Sequence, residues 1–148
     1  MPFHFSLETL LRLRQSFERQ EELLLQRANQ RVQRLGQHIQ EVEAAIADNA
    51  MQQSSHLQAG TSAAEVQFQN LWRLALKQIR EQIQVELNHA EQARNMCMAN
   101  LSRARREYEV VARLRHRQHE LYFREEGRQD QRRADDLFLL RRLYLKSR

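Results

Sequence analysis

The absence of proline after position 2 constrains the fold of this chain more than any other feature. The 148 residues include one proline, Pro2, and three glycines, Gly36, Gly60 and Gly127. β-Sheet proteins and α/β enzymes need turn residues every few positions, or a glycine-rich loop at each crossover. The sequence therefore excludes β-sandwiches, Rossmann folds and P-loop nucleotide sites, and it predicts a small number of very long helices.

The composition agrees with long helices that pack along narrow seams. Charged residues make up 29% of the chain and aromatic residues 7%, a balance typical of coiled coils. No run of apolar residues is long enough to cross a membrane. The N-terminus has no basic stretch followed by an apolar run, as a secretory signal would, so we expect a cytoplasmic protein. The single cysteine, Cys97, fits a reducing compartment and is expected to be a small buried residue.

A heptad pattern defines the first predicted helix. Apolar residues recur at alternating steps of three and four, which keeps one face of a helix against a partner helix. The members are Leu25, Ala28, Val32, Leu35, Ile39, Val42 and Ile46. With Ser6 as its N-cap, the first arm is predicted over residues 6–51.

A polar stretch with one glycine separates this arm from a second one. It predicts a tip loop over residues 52–61, and Ser62 followed by Glu65 forms a capping-box pattern that opens a second arm over residues 62–126. The predicted seam of that arm consists of Trp72, Leu76, Ile79, Ile83, Leu87, Ala90, Cys97, Leu101, Ala104, Tyr108 and Val111. Two successive steps of four, around Ile83, predict a slip in the heptad.

Gly127 is predicted to end or kink the second helix before a basic and apolar helical tail over residues 127–148. The fold class is thus all-α, a long antiparallel two-helix coiled-coil hairpin that forms one domain over residues 1–148. Such a hairpin buries a narrow seam and is expected to form no ligand pocket.

The positive charge is concentrated in the last third of the chain. Residues 101–148 carry 14 Lys and Arg against 8 Asp and Glu. Six arginines recur there at helical spacing, and we call them the basic stripe: Arg103, Arg106, Arg113, Arg117, Arg124 and Arg128. This stripe is either a docking surface for phosphates or an acidic protein, or a solvated helix face interleaved with glutamates. The pattern lacks base-stacking aromatics and zinc-finger spacing, which argues against nucleic acid.

Two smaller features of the sequence bear on function. His116 and His119 share a helix face, but the arginines beside them would repel a cation, so no metal site and no cofactor are predicted.

Phe68, Leu71 and Trp72 follow the predicted tip. They either form an exposed partner site or pack against the tip itself.

Three segments resemble the flagellar type III export protein FliJ family. The opening reads Phe-x-Phe-x-Leu-x-x-Leu-Leu-x-Leu-Arg over residues 3–14. Residues 68–72 read Phe-Gln-Asn-Leu-Trp, an aromatic residue followed by polar residues and an apolar pair. Residues 128–137 resemble the family's C-terminal pattern of Gln, two basic residues and acidic residues. The similarity covers nearly the whole chain, and the extended apolar run at residues 137–145 departs from it.

The resemblance implies a non-enzymatic part of the flagellar protein export apparatus, similar in fold to the central stalk of rotary ATPases. The ends of the two arms would engage the hexameric export ATPase, and the other half of the hairpin would contact the membrane export-gate protein. Export chaperones would be further partners, and no small-molecule substrate is expected. Location would be cytoplasmic and peripheral, at the cytoplasmic face of the inner membrane.

Carried over by position, two sets of contact residues follow from the resemblance. The ATPase contact would involve Leu10, Leu11, Arg14, Gln131, Arg132, Arg133, Asp135 and Asp136. The gate contact would involve Phe68, Leu71, Trp72 and Ala75. The sequence leaves three alternatives open: the equivalent stalk of a virulence type III secretion system, a basic coiled-coil protein that binds nucleic acid, and a self-assembling structural coiled coil.

Overall fold

The computed structural model describes residues 2–147, which form two α-helices. Helix α1 covers Glu8–Ala59 and helix α2 covers Ala63–Lys146. The predicted all-α class is confirmed, since the two long helices pack against each other as a hairpin. The residues fall into two compact units: a terminal unit, with the described residues up to Glu18 and from Arg103 onward, and a hairpin unit, Arg19–Ser102.

The hairpin unit has its core where the heptad pattern predicts it. Ile39 and Val42 of α1 are buried against Ile83 of α2. Leu35, Ile46 and Leu87 are partly buried around them. An ion pair joins Arg80 to Glu43 at 3.1 Å across the two helices. The first seam prediction is therefore correct: it places the apolar side of α1 against α2.

The predicted slip in the second seam is wrong. Leu76 and Ile83, seven residues apart, are both buried, whereas Trp72 and Ile79 are exposed to 51% and 42%. The residues that occupy the missing seam positions are Arg73, which is half-buried, and Arg80. The heptad is regular here, but polar side chains fill two of its positions. Because the prediction followed the neighbouring apolar residues instead, it placed the seam one residue too early at both positions.

The connection between the helices is shorter than predicted. Residues 52–59, which were predicted to be loop, are helical, and only residues 60–62 link α1 to α2. Residues 52–59 contain no proline or glycine that would break a helix, and one of their polar side chains contacts α2: Gln53 donates to Asn70 at 3.1 Å and accepts from Arg73. Gly60 ends α1 with a φ of 83°, the left-handed conformation common after a helix.

The start of α2 follows the predicted capping pattern. The backbone N–H of Glu65 donates to the Ser62 hydroxyl oxygen at 3.4 Å, and the helix begins at Ala63. The start of α1 lies two residues later than predicted. Residues 6 and 7 form a turn in which the N–H of Glu8 donates to the Phe5 carbonyl at 3.2 Å.

The terminal unit is held by an apolar cluster and by ion pairs between the helices. Phe5, Leu11 and Val111 are buried together, with Phe3, Leu10, Tyr108 and Ala112 packed around them. Arg14 lies 2.6 Å from Glu107, and Arg115 lies 3.2 Å from Glu8. As the residue number falls along α1, that of its partner on α2 rises, so the two segments run antiparallel.

Gly127 does not end the last helix. Helix α2 continues through it to Lys146, so the predicted interruption is wrong. Every described residue after Glu126 is exposed. A single glycine inside a helix costs roughly 1 kcal/mol relative to alanine, which the flanking helix-forming residues can offset.

Candidate protein-docking surfaces

The end of α2 exposes an unusual number of large apolar side chains. We call residues 127–147 the C-terminal tail, and seven of its side chains are exposed to between 53% and 67%. They are Leu137, Phe138, Leu139, Leu140, Leu143, Tyr144 and Leu145. At about 100° per residue these positions lie on most sides of the helix axis and do not form one stripe, and Arg142 and Lys146 fill the gap between Phe138 and Leu139. A helix that is apolar on all sides is normally buried by its surroundings.

The residues carried over as the ATPase contact fall into two groups with different environments. Gln131, Arg132, Arg133, Asp135 and Asp136 are exposed on the tail. The other three belong to the described residues up to Glu18, which we call the N-terminal segment. Leu11 is buried in the core, Leu10 packs on that core, and Arg14 is paired with Glu107.

Local contacts order the polar part of the tail. The Gln131 side chain donates to Asp135 at 3.1 Å, and Arg133 lies 3.6 Å from Asp130. These partners are three or four residues apart and so lie on neighbouring turns of one helix. Both contacts join residues of the tail to each other, and neither involves the N-terminal segment.

The Phe68, Leu71, Trp72 and Ala75 set, which we call the Trp72 patch, lies on one exposed face of α2. Phe68 is exposed to 69% and Leu71 to 66%. Ala75 is exposed as well. Of the two interpretations open at the level of sequence, the structure favours an exposed apolar patch over packing within the tip.

The basic stripe is exposed along its whole length. Its ion pairs include two with glutamates of the same helix: Arg113 lies 3.4 Å from Glu109, and Arg128 lies 3.8 Å from Glu125. Ion pairs this exposed contribute little to stability. Breaking these two ion pairs on binding a partner would therefore cost the fold little stability.

The sequence profile described as Flagellar FliJ protein matches residues 3–148. The chain belongs to the FliJ family. It is thus a component of the flagellar export apparatus, and its partners are expected within that apparatus. No curated protein and no solved structure matches the chain.

The match covers all three surfaces of this FliJ-family chain: the tail, the Trp72 patch and the basic stripe. Across residues 2–147, neither helix contains a stretch that could span a membrane. All three surfaces consist of apolar or charged side chains on the outside of helices, the arrangement typical of protein docking.

Phe3 of the N-terminal segment forms an aromatic cluster with two side chains of α2. The ring of Phe3 lies 4.9 Å from that of His119 and 5.6 Å from that of Tyr122. The Tyr122 hydroxyl donates to the Glu126 carboxylate at 2.5 Å. This hydrogen bond, then desolvation and the charge of Glu126, raise the pKa of Tyr122 above its ordinary value.

Nothing in the described part of the chain assembles a metal site. Residues 2–147 contain no group of three or more His, Cys, Asp or Glu side chains with a suitable arrangement. His116 is 3.4 Å from Glu120, whereas His119 faces aromatic rings. Cys97 is a free, half-buried thiol, less buried than its seam position predicts.

The sequence analysis did not predict two features, one on the surface of α2 and one in the buried seam. Ile79 continues the Trp72 patch by one helical turn, because Phe68, Trp72, Ala75 and Ile79 follow one another at steps of four, three and four. A strict heptad count through Arg73 and Arg80 would have found it. Asn49 occupies a buried seam position, and its Oδ1 has no hydrogen-bond partner among the described residues.

Proposed function

We propose that this FliJ-family protein is a non-enzymatic stalk that binds and stimulates the hexameric flagellar export ATPase. The observation that carries the proposal is the exposed apolar circumference of the C-terminal tail. A groove on a partner covers one side of a helix, but a ring of subunits can cover all sides. Enclosure by such a ring would remove the tail's apolar surface from water, at about 25 cal/mol per Å².

The N-terminal segment has a supporting part in this proposal. Leu11 is buried and Leu10 packs beside it, so neither can contribute a large free surface. They hold the N-terminal segment against α2, and Arg14 adds its ion pair with Glu107. The direct ATPase contact then comes from Gln131, Arg132, Arg133, Asp135 and Asp136 together with the apolar side chains of the tail.

We further propose that the Trp72 patch contacts the membrane export-gate protein. A cluster of exposed aromatic and aliphatic side chains on one helix face has the composition of an interface hot spot. The patch lies in the hairpin unit, and the proposed ATPase contact lies in the terminal unit. In the cell the protein would be cytoplasmic and peripheral at the inner membrane, where the gate and the ATPase are held together and export chaperones return.

The ATPase proposal is tested by titrating the purified chain into its cognate export ATPase and measuring turnover. We expect the rate to rise and saturate near a fixed ratio of the two proteins. A variant with Leu137→Ser, Leu140→Ser and Leu143→Ser should need at least about tenfold more protein for half the effect, because each buried leucine is worth roughly 1.5–3 kcal/mol.

A matched control keeps the interpretation of that titration clear. The double variant Met51→Ser and Leu57→Ser removes two exposed apolar side chains from the hairpin unit. It should stimulate the ATPase as the unmodified chain does. Turnover that stays constant throughout the titration with the unmodified chain would contradict the proposed stalk function.

A further inference from the structure

The outward face of α2 in the terminal unit combines arginines with aliphatic residues and nothing else. Between residues 103 and 128, nine positions fall within an arc of about 100° around the helix axis. Six of them are the basic stripe. The other three are Val110, Leu114 and Leu121, which are exposed to 67%, 38% and 57%.

This face points away from the core of the unit. Tyr108 and Val111 face the N-terminal segment, and Val111 is 8% exposed. The acidic residues of the same segment lie at the edges of the arc: Glu109 pairs with Arg113 from one edge, and Glu125 pairs with Arg128 from the other. The centre of the face is therefore cationic and apolar.

We propose that this face docks an acidic amphipathic helix of a partner protein. Val110, Leu114 and Leu121 supply an apolar line along the axis for the apolar side of the partner. The flanking arginines bind carboxylates through their planar, forked guanidinium groups. The face extends about 38 Å at 1.5 Å per residue, which corresponds to roughly seven helical turns of the partner.

The aliphatic residues are what distinguish an acidic helix from a nucleic acid. Phosphate backbones would engage the arginines but would leave three apolar side chains in the middle of the contact exposed to water. The face also contains no aromatic residue on which a base could stack. An acidic helix with an apolar ridge covers both kinds of side chain, as interhelical contacts in coiled coils do.

This interaction is separate from the proposed ATPase contact, since it uses residues 103–128 and not the tail. The probe is a synthetic amphipathic peptide of about four heptads, with leucine at the a and d positions and glutamate at the e and g positions. Repulsion between the glutamates keeps the peptide from pairing with itself. Binding to the full chain is measured by fluorescence anisotropy at physiological salt.

Three comparison ligands define the chemistry of the face. The first replaces the glutamates of the peptide with lysine, the second keeps the glutamates and replaces the leucines with serine, and the third is duplex DNA of matched length. We expect the original peptide to bind at least about tenfold more tightly than each of the three. Equal or tighter binding of DNA would identify a nucleic-acid surface and overturn the proposal, and so would equal binding of the serine peptide.

Variants of the chain then locate the binding site. The triple reversal Arg113→Glu, Arg117→Glu and Arg124→Glu should weaken peptide binding at least about tenfold, and Val110→Ser with Leu121→Ser at least about fivefold. The charge-matched control is Arg27→Glu, Arg31→Glu and Arg34→Glu, three exposed arginines of α1. Circular dichroism checks that each variant keeps its helix content.

The control variant should bind the peptide as the unmodified chain does. An equal loss in the control would mean that only the net charge of the protein matters. No loss in the Arg113, Arg117 and Arg124 variant, or no binding of the peptide to the unmodified chain, would also overturn the proposal.

Discussion

Tyr122 reports on the packing of the N-terminal segment at the scale of a single residue. Its hydroxyl donates to Glu126, and its ring lies beside Phe3. The hydrogen bond to a carboxylate favours the neutral phenol, so the pKa of Tyr122 is raised from its ordinary value of 10.0. The contribution to stability is therefore fully present below pH 10 and is lost as the pH rises through the raised pKa.

We predict that Tyr122 ionises above the ordinary phenol pKa of 10.0. The measurement is an ultraviolet titration of phenolate absorbance, with Tyr122→Phe to assign the transition of Tyr122. In Glu126→Gln, which keeps an acceptor but removes the charge, this transition should move back toward the ordinary pKa. Ionisation of Tyr122 at the same pH in the unmodified chain and in Glu126→Gln would show that the hydrogen bond does not form.

The environment of Leu11 predicts a large cost of truncation. Leu11 is 8% exposed in the core of the terminal unit, whereas Leu13, two residues later, is 48% exposed. Leu11→Ala should lower the free energy of unfolding by about 2–5 kcal/mol through lost burial and a cavity. Leu13→Ala should cost less than about 1 kcal/mol, and both values are measured by urea denaturation. Equal costs for the two variants would contradict the assigned core.

At the scale of helices, regular apolar spacing predicted most of the fold. The heptad of α1 placed Ile39 and Val42 in the core, and Ser62 marked the start of α2. The seam of α2 was misplaced at Ile79 because a count of apolar residues passes over Arg80, whose contact with Glu43 exists only once the helices are paired.

The end of α1 was also predicted wrongly, because polar residues without an apolar seam were assigned to a loop. Residues 52–59 form no apolar seam, yet Gln53 bonds to two side chains of α2 and continues the pairing with polar contacts. The surfaces were predicted only in part: the Trp72 patch followed from spacing and resemblance. Its extension to Ile79 was missed because the seam of α2 was counted through Ile79 and not through Arg80. The exposure of the aliphatic residues beside the basic stripe became clear only once the buried face of α2 was known.

Alanine substitutions at two glycines, one at the end of α1 and one inside it, are predicted to have opposite effects on stability. Gly60 has a φ of 83°, whereas Gly36 lies inside α1, and a Cβ at either position would meet no atom within 4 Å. Gly60→Ala should destabilise the chain by about 1 kcal/mol through backbone strain. Gly36→Ala should stabilise it by roughly 0.5–1 kcal/mol, because alanine loses less entropy in a helix. Thermal unfolding followed by circular dichroism checks both, and changes of the same sign would contradict the assigned conformations.

At the scale of the whole molecule, two partners are proposed for surfaces in two different units. The gate contact predicts that Leu71→Ala with Trp72→Ala weakens binding to the cytoplasmic part of the export-gate protein at least about tenfold, since both side chains are more than half exposed. The control is Met96→Ala with Met98→Ala, also exposed residues of the hairpin unit. Binding is measured by calorimetry, and helix content by circular dichroism.

The gate variant should keep its helix content, because neither side chain belongs to the buried core. A large loss of circular dichroism would instead assign Leu71 and Trp72 to the packing of the hairpin unit. An equal loss of gate binding in the methionine control would show that the contact is not confined to the Trp72 patch.

The central claim is that the export ATPase encloses the C-terminal tail. A photoreactive amino acid placed at Leu140 in the tail, or at Leu57 in the hairpin unit, tests it most directly, because both side chains are exposed in the free chain. After irradiation with the assembled ATPase, we expect a strong crosslink to the ATPase from position 140 and none from position 57. A crosslink from position 57 alone, or none from position 140, would contradict it.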